Sequence, residues 1–106
     1  MNNKWDYLYR LKSAIEQLHK CSACYLRTRL VEEKVCGKTV WVGDVEVFAL
    51  TGHRKTKRCY AWSRREGKNE KDERFVSVLE IPPVNSPQTA VRAGIVSDSE
   101  KGRRQA

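Results

Sequence analysis

CYLRTRLVEEKVCGKTVWVGDVEVFAL, residues 24–50, decides the fold. From Cys24 to Val35 the side chains alternate: Tyr25, Arg27, Arg29, Val31, Glu33 and Val35 fall on one side, and Cys24, Leu26, Thr28 and Leu30 on the other. That period of two belongs to a strand. Cys36–Gly37–Lys38 is short and glycine-centred, so the chain is expected to reverse there into a second strand over about Thr39–Leu50, making a long hairpin. Val40 and Val42 precede Gly43–Asp44, whereas Val45, Val47 and Ala49 follow it with the opposite parity, which makes Gly43 a candidate bulge. The second strand is apolar on both faces, with Val40, Val42, Phe48 and Leu50 on one and Trp41, Val45, Val47 and Ala49 on the other. A sheet built around such a strand needs cover on both sides.

Upstream, Trp5, Leu8, Leu11, Ala14, Ile15 and Leu18 recur at the spacing of an amphipathic helix over about Lys4–His19. Downstream, Arg58–Ser63 and Arg74–Ile81 read as a third and a fourth strand. The connection between them, residues 64–73, is charged without an apolar member and is expected to be mobile. Pro82–Pro83 cannot continue a ladder, and Ser86–Pro87 reads as a helix start, with Ser86 as the cap and Pro87 at the first helical position. Ala90, Val91, Gly94 and Ile95 give that helix a narrow face of mostly small residues, suited to close packing on a sheet. Residues 98–106 have nothing to bury and read as a disordered tail.

The order predicts a single α+β domain over residues 1–97: an N-terminal helix, a four-stranded antiparallel meander and a C-terminal helix. Both helices are expected against one face of the sheet. The opposite face then has to be closed by curvature or by a second chain, and a homodimer is the simpler solution.

A chain of 106 residues has room for one domain of this kind. Its formal net charge of +8 attracts polyanions, in a manner that weakens as salt rises. No apolar run approaches the roughly 20 residues needed to cross a bilayer, and no signal peptide is recognisable at Met1–Trp5, so a soluble cytoplasmic protein without a membrane partner is expected. Four cysteines in such a chain read as reduced thiols.

Cys21–Ser22–Ala23–Cys24 has the spacing that lets two thiolates reach one metal or form a redox pair. There is no second two-residue pair to complete a zinc site, so these cysteines read as core or incidental residues, with no metal and no cofactor expected. His53, in a turn ahead of Arg54, Lys55, Lys57 and Arg58, sits where nearby cations favour a neutral imidazole. No serine elbow, His-Glu-x-x-His or paired acidic motif accompanies it, and the reading leans away from catalysis. Residues 53–74 carry nine basic against four acidic side chains. Tyr60 and Trp62 leave one side of the third strand among them, an arrangement compatible with gripping single-stranded nucleic acid. Arg54, Lys55, Lys57, Arg58, Tyr60, Trp62, Arg64 and Arg65 are therefore the candidate nucleic-acid contacts. Large aromatics at alternate strand positions are more often buried, and burial is expected for Trp62. A small binding protein is the expected class, with a weak nucleic-acid or polyanion binder, or a small-ligand carrier with a pocket between the first helix and a curved sheet, as its specific forms.

VEVFALTGH (residues 45–53), KRCYAWS (57–63) and RFVSVLEIPPVNSPQTAVRAGIV (74–96), in this order and spacing, resemble a family of short bacterial proteins of the gene-cassette type. The resemblance covers roughly the last two thirds of the domain. The family has no assigned activity, so the resemblance implies no catalytic or binding residues.

Overall fold

The computed structural model describes residues 4–66 and 72–105, with the backbone course alone for residues 65, 66, 72, 73 and 97–105. Helix α1 (Lys4–His19) leads into strands β1 (Ser22–Val35), β2 (Lys38–Thr51), β3 (Arg58–Glu66) and β4 (Asp72–Leu79), and helix α2 (Pro87–Gln105) follows. The strands form one antiparallel sheet in the order β1-β2-β3-β4. This is the α+β meander that the sequence pattern predicts.

The hairpin turn uses Cys36 and Gly37, both at positive φ (52° and 80°), the backbone that a tight two-residue reversal demands. The bulges lie elsewhere than expected. Gly43 pairs regularly with Val31, while the register shifts between Tyr25 and Arg27 and between Glu33 and Lys34. Leu26 and Val40 are thus the extra residues, and the slip at Leu26 puts Tyr25 on the same face as Thr28 and Leu30 instead of with Arg27. Gly43 has a packing role: a Cβ there would meet the Trp41 ring at 3.2 Å.

The helices lie on opposite faces of the sheet, a correction to the expected single layer. Alternate residues of β3 show it. Cys59 and Ala61 join Phe48 and Leu50 beneath Leu8, Leu11 and Ile15 of α1, whereas Tyr60 and Trp62 join Val45 and Val47 beneath Ala90 and Val91 of α2. Each large apolar side chain buried by α1 contributes roughly 1.5–3 kcal/mol, which holds a helix of a length that is marginal in isolation. Trp5 and Leu18, at its two ends, stay exposed.

The second face is covered because the chain crosses the sheet end between β4 and α2. Val84 donates its backbone N–H to the Ile81 carbonyl (2.9 Å) and drops its side chain into the second cluster. Ser86 and Thr89 then cap α2 reciprocally: the Ser86 hydroxyl accepts from the Thr89 N–H (3.2 Å), and the Thr89 hydroxyl accepts from the Ser86 N–H (3.0 Å). The glycine on the small face is required by contact, since a Cβ on Gly94 would stand 2.9 Å from the Trp62 ring. A homodimer through an uncovered sheet face loses its premise, because α2 occupies that face. The backbone of α2 continues to Gln105, past the expected end at residue 97. Of the charged connection, residues 67–71 lie outside the described residues, while β3 and β4 each extend into its flanks.

Polar side chains pin the helices to the strands. Buried Glu46 accepts from Lys4 Nζ (3.0 Å) and from the Thr28 hydroxyl, which also meets the Tyr25 hydroxyl (2.7 Å). On the other face Glu33 accepts from Arg92 Nε and from Gln88 Nε2 (3.1 Å), tying α2 to β1. That pairing with the guanidinium holds the Glu33 carboxyl below the usual carboxylate range.

Candidate functional site

In an antiparallel meander the end of α1, the β2–β3 connection and the exit from β4 meet at one end of the sheet. The sequence places His19 and Lys20 at the first, His53, Arg54, Lys55 and Lys57 at the second, and Leu79–Ile81 at the third. All of these except Lys57 and Glu80 line, with Gly52, an open depression of about 390 Å³. Two backbone turns shape it: Lys20 has a φ of 56° and Gly52 a φ of 89°, the latter a region that residues other than glycine rarely adopt.

The connection is built around His53. Its Nδ1 accepts the backbone N–H of Lys55 (3.1 Å) and that of Thr56 (3.3 Å), so Nε2 carries the proton in the neutral ring. The Thr56 hydroxyl donates to the Glu80 carbonyl (2.8 Å), anchoring the same loop to the exit from β4. His19 Nε2 lies 2.9 Å from the Ser77 hydroxyl of β4, and the two imidazoles meet edge to face with centroids 6.1 Å apart. Burial and the neighbouring His53 lower the His19 pKa from its ordinary value. A hydrolytic Ser–His pair needs a third group that stabilises the imidazolium. Here the ring facing His19 disfavours its protonated form, so the pair is poorly arranged to activate Ser77.

A larger cleft of about 710 Å³ runs along the β4 edge from His19 and Ser77 to Arg64, Arg74 and Gly94. Between α1 and the sheet, by contrast, a crevice lined by Leu11, Ile15 and Phe75 measures only about 30 Å³, room for about one water.

The candidate nucleic-acid residues part company in space. Arg54, Lys55, Lys57 and Arg58 are exposed at the loop end, as the charge pattern suggests. Tyr60 and Trp62 are 2% and 4% exposed and packed beneath α2, with Trp62 edge-on to Trp41 at 5.8 Å, so neither ring presents a face on which a base could stack. The Tyr60 hydroxyl donates to Glu80, and burial together with that carboxylate pushes its pKa up to about 12. Arg64 lines the other cleft, and the side chain of Arg65 lies outside the described residues. Lys20 and Ser77 are site residues that no motif in the sequence marks. Their signal was topological: each stands at or near the sheet end that the His53 loop occupies.

Two of the four cysteine thiols are shifted away from activation. All four are free; Cys24 and Cys36 are exposed, and Cys21 is half-buried beside the α1 cluster. Burial pushes the Cys59 thiol up to about 12 and raises that of Cys21 as well, the opposite of what a nucleophile or metal ligand needs. Among the described residues no group of three or more His, Cys, Asp or Glu is placed to hold a metal ion, and no helix is long and apolar enough to cross a membrane.

The fold and site together define an α+β protein with a helix on each face of a four-stranded meander and a basic, histidine-bearing loop end. Comparison with family models, curated proteins and solved structures finds no match for this chain.

Proposed function

We propose that the protein binds the sugar–phosphate backbone of single-stranded nucleic acid, independently of sequence, through the loop end of its sheet. The observation that carries this reading is the gathering of Lys20, Arg54, Lys55, Lys57 and Arg58 with two histidines at one end of the molecule. Glu16 accepts from Lys12 Nζ and the Ala23 N–H (both 2.9 Å), and Glu80 accepts from Tyr60. Exposed cations attract phosphates by counterion release, a term indifferent to base identity. With Tyr60 and Trp62 buried, stacking adds nothing, and affinity is carried by charge. The reading places the protein in the cytoplasm, where its free thiols remain reduced.

Charge reversal tests the location. Arg54→Glu with Lys57→Glu is expected to abolish retention of a single-stranded oligonucleotide at low salt, whereas Arg29→Glu with Lys34→Glu, exposed on β1, leaves it in place. Equal loss from both pairs would reduce the effect to net charge and remove the site. Heparin is the comparison polyanion: stronger retention of heparin than of the oligonucleotide would shift the partner to a sulfated polymer.

Self-association is a second reading, favoured by a specific observation. Beyond Glu46 the β1–β2 hairpin outruns β3, whose pairing with β2 covers Glu46–Ala49. On the α1 face of that arm Leu30 is 76% and Val42 60% exposed. A solution mass near twice 12.3 kDa that Leu30→Lys reduces to the monomer supports a homodimer through the arm.

A further inference from the structure

We infer that the depression between His19 and His53 is a subsite for a phosphomonoester, the dianionic end group of a nucleic-acid strand. This deepens the backbone-binding reading above and rests on it.

The two kinds of phosphate ask different things of a protein. An internal phosphodiester carries one charge and is followed well enough by long exposed lysines and arginines. A terminal monoester carries close to two charges and three terminal oxygens, and it favours a concave place where several donors converge. The exposed rim at Lys57 and Arg58 suits the first. The depression suits the second, because its donors come from separate elements: Lys20 from the end of α1, and Arg54, Lys55 and the His53 imidazole from the β2–β3 connection.

His53 supplies the part that general basicity does not. Its Nδ1 is occupied by two backbone N–H groups of its own loop, which sets the ring and makes Nε2 the donor. The loop is held in turn by the Thr56–Glu80 hydrogen bond and by the Leu50 N–H, which donates to the Lys57 carbonyl (2.8 Å). His19 is set likewise by its contact with Ser77. Two fixed imidazoles and three cations around about 390 Å³, within the roughly 300–1,000 Å³ typical of small-ligand clefts, leave room for the phosphate and its attached nucleoside. Among the described residues lining the depression there is no aspartate or glutamate.

The test compares 5′-phosphorylated oligothymidine with its 5′-hydroxyl counterpart by fluorescence anisotropy on the intact protein. The phosphorylated strand is expected to bind at least about tenfold more tightly, the effect of one hydrogen bond to a charged group. His53→Asn keeps an oxygen able to accept the two backbone N–H groups but removes Nε2, and it is expected to erase the preference, so that the variant binds the two strands equally. Lys20→Gln makes the same test without touching the loop, and unchanged melting temperatures establish that both variants are folded. Equal binding of the two strands by the unaltered protein overturns the subsite and leaves backbone binding standing. Binding of neither strand overturns both. A nucleoside monophosphate that displaces the phosphorylated strand with equal affinity supports the subsite and identifies a small phosphate ester as its ligand.

Discussion

Strand β3 and the loop that feeds it are neighbours in the chain and opposites in the molecule. Arg54, Lys55, Lys57 and Arg58 lie in water at the sheet end, while Tyr60 and Trp62, a few residues on, form the floor under α2. A stretch that reads as one cationic, aromatic surface is therefore two regions with separate duties. The boundary falls where the ladder begins, because the sheet fixes the direction of each side chain from Arg58 onward, and the face that Tyr60 and Trp62 share is the one that α2 needs. Adjacency of charge and aromatic rings in a sequence identifies a binding surface only when both are left exposed by the same element.

The sharpest way to break this comparison is Trp62→Ala. As a core residue against Trp41 and Gly94 it is expected to lose about 3–5 kcal/mol of stability, with oligonucleotide binding intact below the lowered melting temperature. Loss of affinity at an unchanged melting temperature would join the two regions again. Glu46→Ala, on the opposite face, removes the acceptor of the Thr28 hydroxyl and the partner of Lys4, and about 1–3 kcal/mol is expected from denaturant titration. Ser86→Ala removes the cap of α2 and should cost about 1 kcal/mol, again without touching the loop end.

The smallest expected effect is a pH dependence. His19 binds its proton less readily in the folded chain than in the unfolded one, because of burial and then of His53. Its contribution to stability is fully present above the ordinary histidine value of 6.5 and is lost as pH falls through the lower, folded value. His19→Gln should flatten that part of the profile, as followed by melting temperature. The decline caused by Glu16 and Glu33, both held below the usual carboxylate range, belongs to a more acidic window and should persist in the variant.

Much of the architecture was legible because it follows local rules. The period of two over residues 24–50, the glycine-centred turn and the Ser86–Pro87 start each depend on near neighbours, and each stands where the pattern places it. What escaped depends on distant partners. The bulge at Leu26 answers to register with β2, and its signature in the pattern is indistinguishable from ordinary alternation. The crossing of α2 to the other face is settled by Val84 and by the bulk of Trp41 and Trp62, although the two apolar faces of β2 already called for cover on both sides. At the candidate site, the cations were visible as a charge run. The pairing of His19 with Ser77 was not, because the two come together across 58 residues of chain.

The most direct test of the central claim is the salt dependence of single-stranded oligonucleotide binding, compared between the unaltered protein and Arg54→Glu/Lys57→Glu. Backbone binding at the loop end requires the logarithm of the binding constant to fall linearly with the logarithm of salt concentration, and the slope to shrink by about 0.7 for each phosphate contact that the reversal removes. Equal slopes in the two proteins, at equal affinity, would contradict it.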